Sequence, residues 1–301
     1  MALIDFKVLP GIDKQDTASG AEFRWVDCNN TRFRYGLPEK VGGWSSLVTD
    51  TIVGVARREF AFVDLDGNRY VAIGTDKFLL IYFEGQLYDI TPLKTTLTSA
   101  TLATTNTSAI CSITTGTNHN LSVGDIVLLD TVTLPVGTGY VDADFENKLF
   151  QVTSITSATV FTITQSTAAT ATVGTGGSLS VKPYEQVGPA EQSYGYGWGI
   201  DTWSSGKWGE AASASDVSLE PGLWSLSNFG QVLVSTIANG KTFTWNAGDA
   251  ARLTTRASTT TSGFETTNNP TATRITLVSP TTRHLIHLGT ETTIGDPTTQ
   301  D

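Results

Sequence analysis

Charged residues, cysteine and methionine are all scarce in this chain of 301 residues. Only 16% of the residues are Asp, Glu, Lys or Arg, and there are two cysteines and one methionine. Cys28 and Cys111 lie far apart without CxxC spacing, which argues against a zinc site or disulfide framework and predicts two buried or idle thiols. No stretch of about ten or more residues carries an apolar period of 3.6, so long helices are not expected.

Basic residues are also in short supply, with 19 against 29 acidic ones and a net charge of −10. Such a surface repels phosphates and disfavours DNA binding by counterion release, although a conduit for DNA would tolerate an acidic wall. No apolar run reaches the about 20 residues that cross a bilayer. The amino terminus has no basic region followed by an apolar one, so no signal peptide is expected. The sequence therefore predicts a chain made in a cytoplasm, without a membrane segment.

The abundant residues are Gly, Thr, Ser and Val, which favour β-sheet and turns. From residue 51 to residue 94 short apolar runs alternate with tight-turn sequences such as Asp66-Gly67 and Glu84-Gly85. A meander of this size matches one blade of a β-propeller. The strands expected in this first blade are Ile52–Ala56, Phe60–Asp64, Arg69–Ile73, Phe78–Phe83 and Leu87–Ile90.

The strand pattern of this meander recurs later in the chain. Asn68–Gly74 aligns with Gly230–Thr236 and, more loosely, with Thr282–Leu288. Thr236–Phe243 approaches the Asp-box hairpin of some propellers, with Ala238 at the position of the aspartate. The repetition favours an all-β fold built on a partial or insertion-bearing propeller. Generic hairpins that recur by chance are the alternative.

Residues 95–182 differ in composition and predict a small β-barrel or sandwich inserted into the propeller. They are rich in Thr, Ser and Ala, and Lys148 is the one basic residue before Lys182. His119–Asp130 predicts a strand that follows a Gly-Asp turn, and Lys148–Gln165 predicts a hairpin. The side chains expected to face each other across that hairpin are Phe150, Val152, Phe161 and Ile163.

Aromatic residues alternate with glycine from Ser193 to Gly209, within a loop region predicted for residues 183–222. Glycine between aromatics gives a pliable loop that presents flat rings. Trp198, Trp203 and Trp208 either contact a neighbouring subunit or a sugar, or pack back onto the sheet. Further propeller-like blades are predicted from residue 223 to residue 301.

Residues 1–50 predict an N-terminal ribbon of extended chain. Arg32 and Arg34 alternate with aromatic residues, so we expect the two arginines to share one face. They could contact DNA phosphates or pair with carboxylates such as Glu39. Gly36-Leu37-Pro38 is expected to end regular structure, and Trp44 to anchor the chain in the core.

The run WVDCNNTRFRYGLPEKVGGW within this ribbon resembles the N-terminal signature of virion tail proteins of tailed bacteriophages, of the tail-tubular or nozzle type. The matching groups are Trp25-Val26-Asp27, Arg32-Phe33-Arg34, Pro38-Glu39-Lys40 and Gly42-Gly43-Trp44. The resemblance implies a virion protein that forms a ring of identical subunits, commonly six, around the channel through which genomic DNA leaves. It also implies contacts with other tail proteins such as the adaptor and the fibres.

The sequence accounts for two or three blades, whereas a closed propeller has four to eight. We therefore expect open sheet edges to be covered by neighbours in an assembly. The residues expected to contact subunits or ligands are Trp25, Arg32, Arg34, Trp44, Trp198, Trp203 and Trp208.

Residues with catalytic or metal-binding potential are few, and their patterns predict neither an enzyme nor a cofactor. There is no G-x-S-x-G motif, and His284 and His287 would point to opposite faces of a strand. Asp64–Asn68 has the alternating oxygens of a calcium turn, but an Asp-Gly hairpin turn is favoured because no bidentate Glu follows. Asp142, Asp144 and Glu146 are expected to lie on one face of an extended segment. There they would either bind a cation or form a solvated strand edge.

The function favoured by these patterns is a structural role in a phage tail. A receptor- or glycan-binding module of a tail fibre, using the aromatic loop, is the first alternative. A propeller enzyme that degrades host polysaccharide is the second.

Overall fold

The computed structural model of the chain describes residues 8–46, 48–189, 191, 220–259 and 269–300. The chain divides into two compact units, Met1–Thr49 and Asp50–Asp301. Regular structure in the described ranges is β-strand, apart from the short 3-10 helices Asp142–Asp144 and Pro297–Thr299. The prediction of an all-β fold is confirmed. Within the same ranges no helix is long and apolar enough to span a membrane.

The first unit contains two small strand pairs, one parallel and one antiparallel. Its strands are β1 (Leu9–Ile12), β2 (Arg24–Trp25), β3 (Thr31–Arg34) and β4 (Leu37–Lys40). Tyr35 and Gly36 join β3 to β4 with φ of 52° and 80°, the conformation that a tight two-residue hairpin needs. The expectation that regular structure ends at Gly36-Leu37-Pro38 is therefore wrong. Pro38 pairs with Phe33 in a two-stranded hairpin, where proline is tolerated.

The first unit has almost no buried interior among its described residues. Ala21 is the one residue there that is buried. Trp44 is fully exposed, so the expectation that it anchors the chain in the core is wrong. The flanking Gly42 and Gly43 have no heavy atom close to where a side chain would begin, so nothing packs around this turn of the chain.

The second unit begins with a four-stranded antiparallel meander. Its strands are β5 (Ala56–Val63), β6 (Arg69–Thr75), β7 (Leu79–Phe83) and β8 (Gln86–Asp89). The predicted strand Ile52–Ala56 is wrong. Gly54 has a φ of 91°, and the backbone N–H of Val55 donates to Oδ1 of Asp76 at 2.6 Å instead of joining a ladder.

A closed six-stranded barrel follows in the order β10-β13-β12-β11-β14-β9. Its strands are β9 (Leu97–Thr104), β10 (Ile110–Thr114), β11 (Ile126–Thr133), β12 (Lys148–Ser157), β13 (Val160–Thr164) and β14 (Val173–Pro183). The prediction of a small barrel is confirmed over the sandwich. The four side chains predicted to face each other across β12 and β13 are all buried in its core.

The chain enters and exits the barrel through two adjacent segments. Leu93, just before the barrel, pairs with Tyr184, just after it. The N–H of Lys94 donates to the carbonyl oxygen of Pro183 at 2.8 Å, and the N–H of Glu185 donates to that of Pro92 at 3.0 Å. The barrel is thus looped out between two adjacent segments.

The remaining strands form a three-stranded sheet and a hairpin. They are β15 (Trp224–Phe229), β16 (Val232–Ile237), β17 (Thr242–Asn246), β18 (Thr273–Val278) and β19 (Leu285–Thr290). The aligned segments Asn68–Gly74 and Gly230–Thr236 both lead into the first strand of a hairpin, β6–β7 and β16–β17. In Thr282–Leu288 the strand starts only at Leu285, because Arg283 has a φ of 52°.

The four-stranded and three-stranded sheets share one apolar core. The rings of Tyr70 and Trp245 meet edge to face across it, with centroids 5.6 Å apart. The other side of the three-stranded sheet is polar: Ser225 Oγ donates to the carbonyl oxygen of Thr276 at 2.7 Å, and Ser227 Oγ accepts from the N–H of Val278. The described strands thus form sheets of four, three and two strands packed in succession, and the propeller stays a prediction.

Candidate functional site

Among the predicted contact residues of the ribbon, Trp25, Arg32 and Arg34 contact other residues of the first unit, whereas Trp44 is fully exposed. Nε of Arg32 donates to Oε2 of Glu39 at 3.0 Å, which is the carboxylate pairing left open by the sequence. The guanidinium of Arg34 lies 5.4 Å from the ring centroid of Tyr35. Trp25 is half-buried against Phe33, with ring centroids 6.4 Å apart. Trp198, Trp203 and Trp208 lie outside the described residues.

The Asp64–Asn68 loop is a hairpin turn closed by its own aspartate. Asp64 accepts from the N–H groups of Asp66 and Asn68, from the Asn68 amide, and from the Tyr70 hydroxyl. Burial raises the pKa of Asp64, but these hydrogen bonds outweigh it and leave the pKa below its ordinary value. Both carboxylate oxygens are therefore occupied by donors.

The carboxylates of Asp142 and Glu146 accept backbone hydrogen bonds near the end of β11. Asp142 and Asp144 lie in a 3-10 helix, so the expectation of an extended segment is wrong. Asp142 accepts from the N–H of Leu134, while Glu146 accepts from the N–H groups of Thr131 and Val132. These carboxylates replace ladder partners where β11 ends. In the described parts of the chain, no three His, Cys, Asp or Glu side chains gather as a metal would require.

The three histidines lie in different surroundings. Nδ1 of His287 lies 3.1 Å from Oγ1 of Thr276, and burial lowers the pKa of His287. His284 is exposed. His119 is buried, with Nε2 at 3.0 Å from the carbonyl oxygen of Ser157 and Nδ1 accepting from the N–H of Leu121.

A cleft of about 540 Å³ with a mixed polar and apolar lining lies between the turn at Asp76 and the barrel loop that ends at Asp125. Asp125 is 4% exposed, accepts from the N–H of Ser122 at 3.0 Å, and lies 4.0 Å from Nζ of Lys94. Burial raises the pKa of Asp125, while the Ser122 N–H and Lys94 oppose that rise. The amides of Gln151 and Gln186 also line the cleft, so it offers both donors and acceptors to a polar ligand.

Tyr184 forms part of the cleft wall and belongs to a buried network. Its hydroxyl donates to Oδ2 of Asp89 at 2.7 Å and accepts from Nη2 of Arg256 at 2.6 Å. Nη1 of Arg256 also reaches Oδ2 of Asp89 and the carbonyl oxygen of Thr91, both at 3.0 Å. Burial is the main cause that raises the pKa of Tyr184 strongly, and the neighbouring Asp89 raises it further. The Tyr184 phenol is therefore neutral where it contacts the Asp89–Arg256 ion pair.

Sequence reasoning did not find the cleft, because its walls come from distant parts of the chain. The only local signal was the Gly-Asp turn before β11. It is present, with Gly124 at a φ of 97° and Asp125 immediately before the strand. Nothing in the pattern around Asp76 or Gln151 indicated that they would meet it.

Comparisons with known proteins add no family assignment. No family model matches the chain, and neither does any curated protein. Among solved structures, the phage phi92 endosialidase is similar over 71% of this chain, with 14% sequence identity and a TM-score of 0.24. The similar region spans 30% of the endosialidase chain. A TM-score of this size supports no conclusion about fold or function.

Proposed function

We propose that this chain is a structural component of a bacteriophage tail, of the nozzle or tail-tube type, rather than an enzyme. The observation that carries the proposal is the run from Trp25 to Trp44, which resembles the signature of those proteins. Two of its matching groups, Arg32-Phe33-Arg34 and Pro38-Glu39-Lys40, face each other in the hairpin β3–β4. The succession of packed sheets in the second unit is compatible with the blades of the propeller that the recurring strand pattern favours.

In the proposed assembly, copies of the chain form a ring, of six by analogy, around the channel for genomic DNA. The adaptor and the fibres would be its neighbours in the virion. Residues 1–49 contain six acidic and six basic residues, so the net charge of −10 lies entirely in the second unit. If that unit lines the channel, it lets DNA pass without retaining it, because phosphates are repelled by an acidic wall.

Labelling of purified virions tests this proposal. An antibody against the barrel of this chain should mark the tail in negative-stain images of intact particles. Label on the capsid, or virions that lack the chain in a protein gel, would refute it. Light scattering adds a second readout, because an isolated chain that depends on neighbours should associate as its concentration rises.

A receptor- or glycan-binding module is the alternative, and the cleft beside Asp125 is the observation that favours it. Amide and carboxylate groups in a cavity of about 540 Å³ suit a hydroxyl-rich ligand. Binding on a glycan array that is lost in both Gln151→Ala and Trp203→Ala would favour this function. Binding retained in both variants would place the ligand away from the cleft and Trp203, and no binding at all would remove this function.

A further inference from the structure

The last hairpin of the chain carries an apolar face that is open to solvent. Ile275 pairs across the strands with Leu288, and Leu277 pairs with Ile286. These four side chains are 43% to 49% exposed. Four neighbouring aliphatic side chains on one exposed sheet face are typical of an interaction surface.

On the opposite face of the same hairpin, Thr276 is buried and hydrogen-bonded, which fixes the apolar face outward. Thr276 is 1% exposed, and its Oγ1 accepts from Oγ1 of Thr236 at 2.8 Å. Its carbonyl oxygen accepts from Ser225, and its hydroxyl contacts His287. Turning the hairpin over would break all of these hydrogen bonds, so the apolar face cannot be buried by a change of register.

The ribbon also exposes large aromatic and apolar side chains. Tyr35, Leu37 and Trp44 are 91%, 69% and fully exposed, and they follow one another within ten positions of the hairpin β3–β4 and its end. Since Ala21 is the one buried residue in the described part of this unit, the ribbon does not cover these side chains itself. Exposed Trp and Tyr are the residues that most often anchor an interface.

Charge decides between possible occupants of the hairpin face. Four half-exposed side chains offer far less than the about 800 Å² per partner of a standard interface, so neither a second such face nor the ribbon would hold copies together through these side chains alone. Two acidic second units would also repel each other, whereas the ribbon is electrically neutral overall. A ribbon from a neighbouring copy would add aromatic contact area to the hairpin face without adding charge repulsion between the copies.

We propose that the ribbon segment 31–44 of one copy packs on the outer β18–β19 face of a second copy. This inference deepens the proposed ring, and rests on it, by naming the contact between neighbouring subunits. Tyr35, Leu37 and Trp44 supply the aromatic and apolar groups, and the four aliphatic side chains of β18 and β19 receive them. The contact is heterologous, so it can close a ring of copies.

Disulfide trapping between two separately purified variants tests the contact. In a Cys28→Ser background, one preparation carries Leu37→Cys and the other Ile286→Cys. After mixing and mild oxidation we expect a reducible species with the mass of two chains that forms only when both variants are present. The control replaces the second variant by Val136→Cys, since Val136 is 97% exposed on the barrel, and should give no such species.

Two results would overturn the proposal. One is the absence of a two-chain species above the Val136→Cys control. The other is a chain carrying both cysteines that cross-links within itself at high dilution while the mixture does not, because the ribbon would then cover its own hairpin. Either result can occur while antibody still labels the tail, so failure of this contact is distinguishable from failure of the proposed function.

Association measurements provide a second readout on the full chain. By sedimentation equilibrium, Leu277→Asp and Trp44→Ser should each weaken self-association by roughly tenfold or more, while Val136→Asp should leave it unchanged. Circular dichroism establishes that each variant is folded. Equal association of all three variants would contradict the proposed contact.

Discussion

The indole Nε1 of Trp224 donates a hydrogen bond of 2.9 Å to the carbonyl oxygen of Thr75, although 149 positions separate the two residues. Trp224 opens the three-stranded sheet, and Thr75 ends the second strand of the four-stranded sheet. Gly74 makes room for the contact, because a Cβ there would lie 2.5 Å from Cδ1 and 2.8 Å from Cβ of Trp224. This one pair therefore sets how closely the two sheets approach.

Substitution of Gly74 by alanine should accordingly destabilise the second unit. The added methyl group would displace Trp224 from its hydrogen bond, and overpacking of this kind costs about 1–3 kcal/mol. Urea unfolding followed by tryptophan fluorescence measures the loss. Gly116→Ala is the matched control, because no heavy atom lies within 4 Å of a Cβ at that position. Equal stability of the two variants would show that the close approach is not required.

The phenol of Tyr184 should contribute to stability through the hydroxyl that bridges Asp89 and Arg256. Tyr184→Phe removes one donor to the Asp89 carboxylate and leaves the half-buried Asp89–Arg256 ion pair less well satisfied, which should cost about 1–3 kcal/mol. Tyr88→Phe is the control, since the Tyr88 hydroxyl donates to the exposed Gln86 side chain. We expect less than about 0.5 kcal/mol from that change. A Tyr184→Phe variant as stable as the wild type would contradict this role.

Stability at low pH should depend on Glu291. Burial raises the pKa of Glu291, but N–H groups of Gly295, Thr271 and Ala272 donate to its carboxylate and hold the pKa at about 2. The unfolded chain then binds a proton more readily than the folded one. This contribution is complete above the ordinary value of 4.5 and is lost as pH falls towards 2.

Glu291→Gln should therefore lower stability at pH 7 and flatten its pH dependence between about 4.5 and 2. An amide fits poorly at neutral pH too, because its NH₂ group would face a backbone N–H. Thermal unfolding in buffers from pH 2 to pH 7 gives the difference curve. Glu84→Gln, at an exposed turn, is the control and should keep the wild-type slope. An unchanged slope in Glu291→Gln would count against the hydrogen-bonded carboxylate as its source.

Local patterns predicted the elements that depend on neighbouring residues. The hairpin with Phe150 and Phe161 was foreseen because its apolar side chains alternate, and its barrel is confirmed. The turn at Asp66-Gly67 was foreseen because glycine supplies the positive φ, and it is present. Period and turn chemistry sufficed in both cases.

Two of the errors arose where a side chain took over a backbone hydrogen bond. Asp76 accepts from Val55 and removes the strand predicted over Ile52–Ala56, and Asp142 accepts from Leu134 in place of a ladder partner. Such competition joins residues 8 to 21 positions apart, beyond the reach of a period. The cleft and the Trp224–Thr75 contact lay further still from any local signal.

The inserted barrel should fold without the rest of the chain. It closes on itself, so it has no open strand edges, and its core residues all lie within the inserted segment, between Leu97 and Val181. A fragment from Lys94 to Tyr184 should therefore give dispersed NMR amide signals and a cooperative thermal transition. Ile126 and Leu128 pack outward on a cluster with Phe78 and Leu80 in the whole chain, so Leu128→Lys should improve the solubility of the fragment.

Phe161→Ala provides the internal control for the excised barrel. Phe161 is fully buried at the centre of the barrel core, and its truncation should cost about 3–5 kcal/mol or abolish folding of the fragment. Leu128→Lys, on the outer surface, should leave the transition in place. A fragment with random-coil amide shifts would contradict independent folding. It would mean instead that the contacts of Leu128 with the first sheet are what hold the barrel closed.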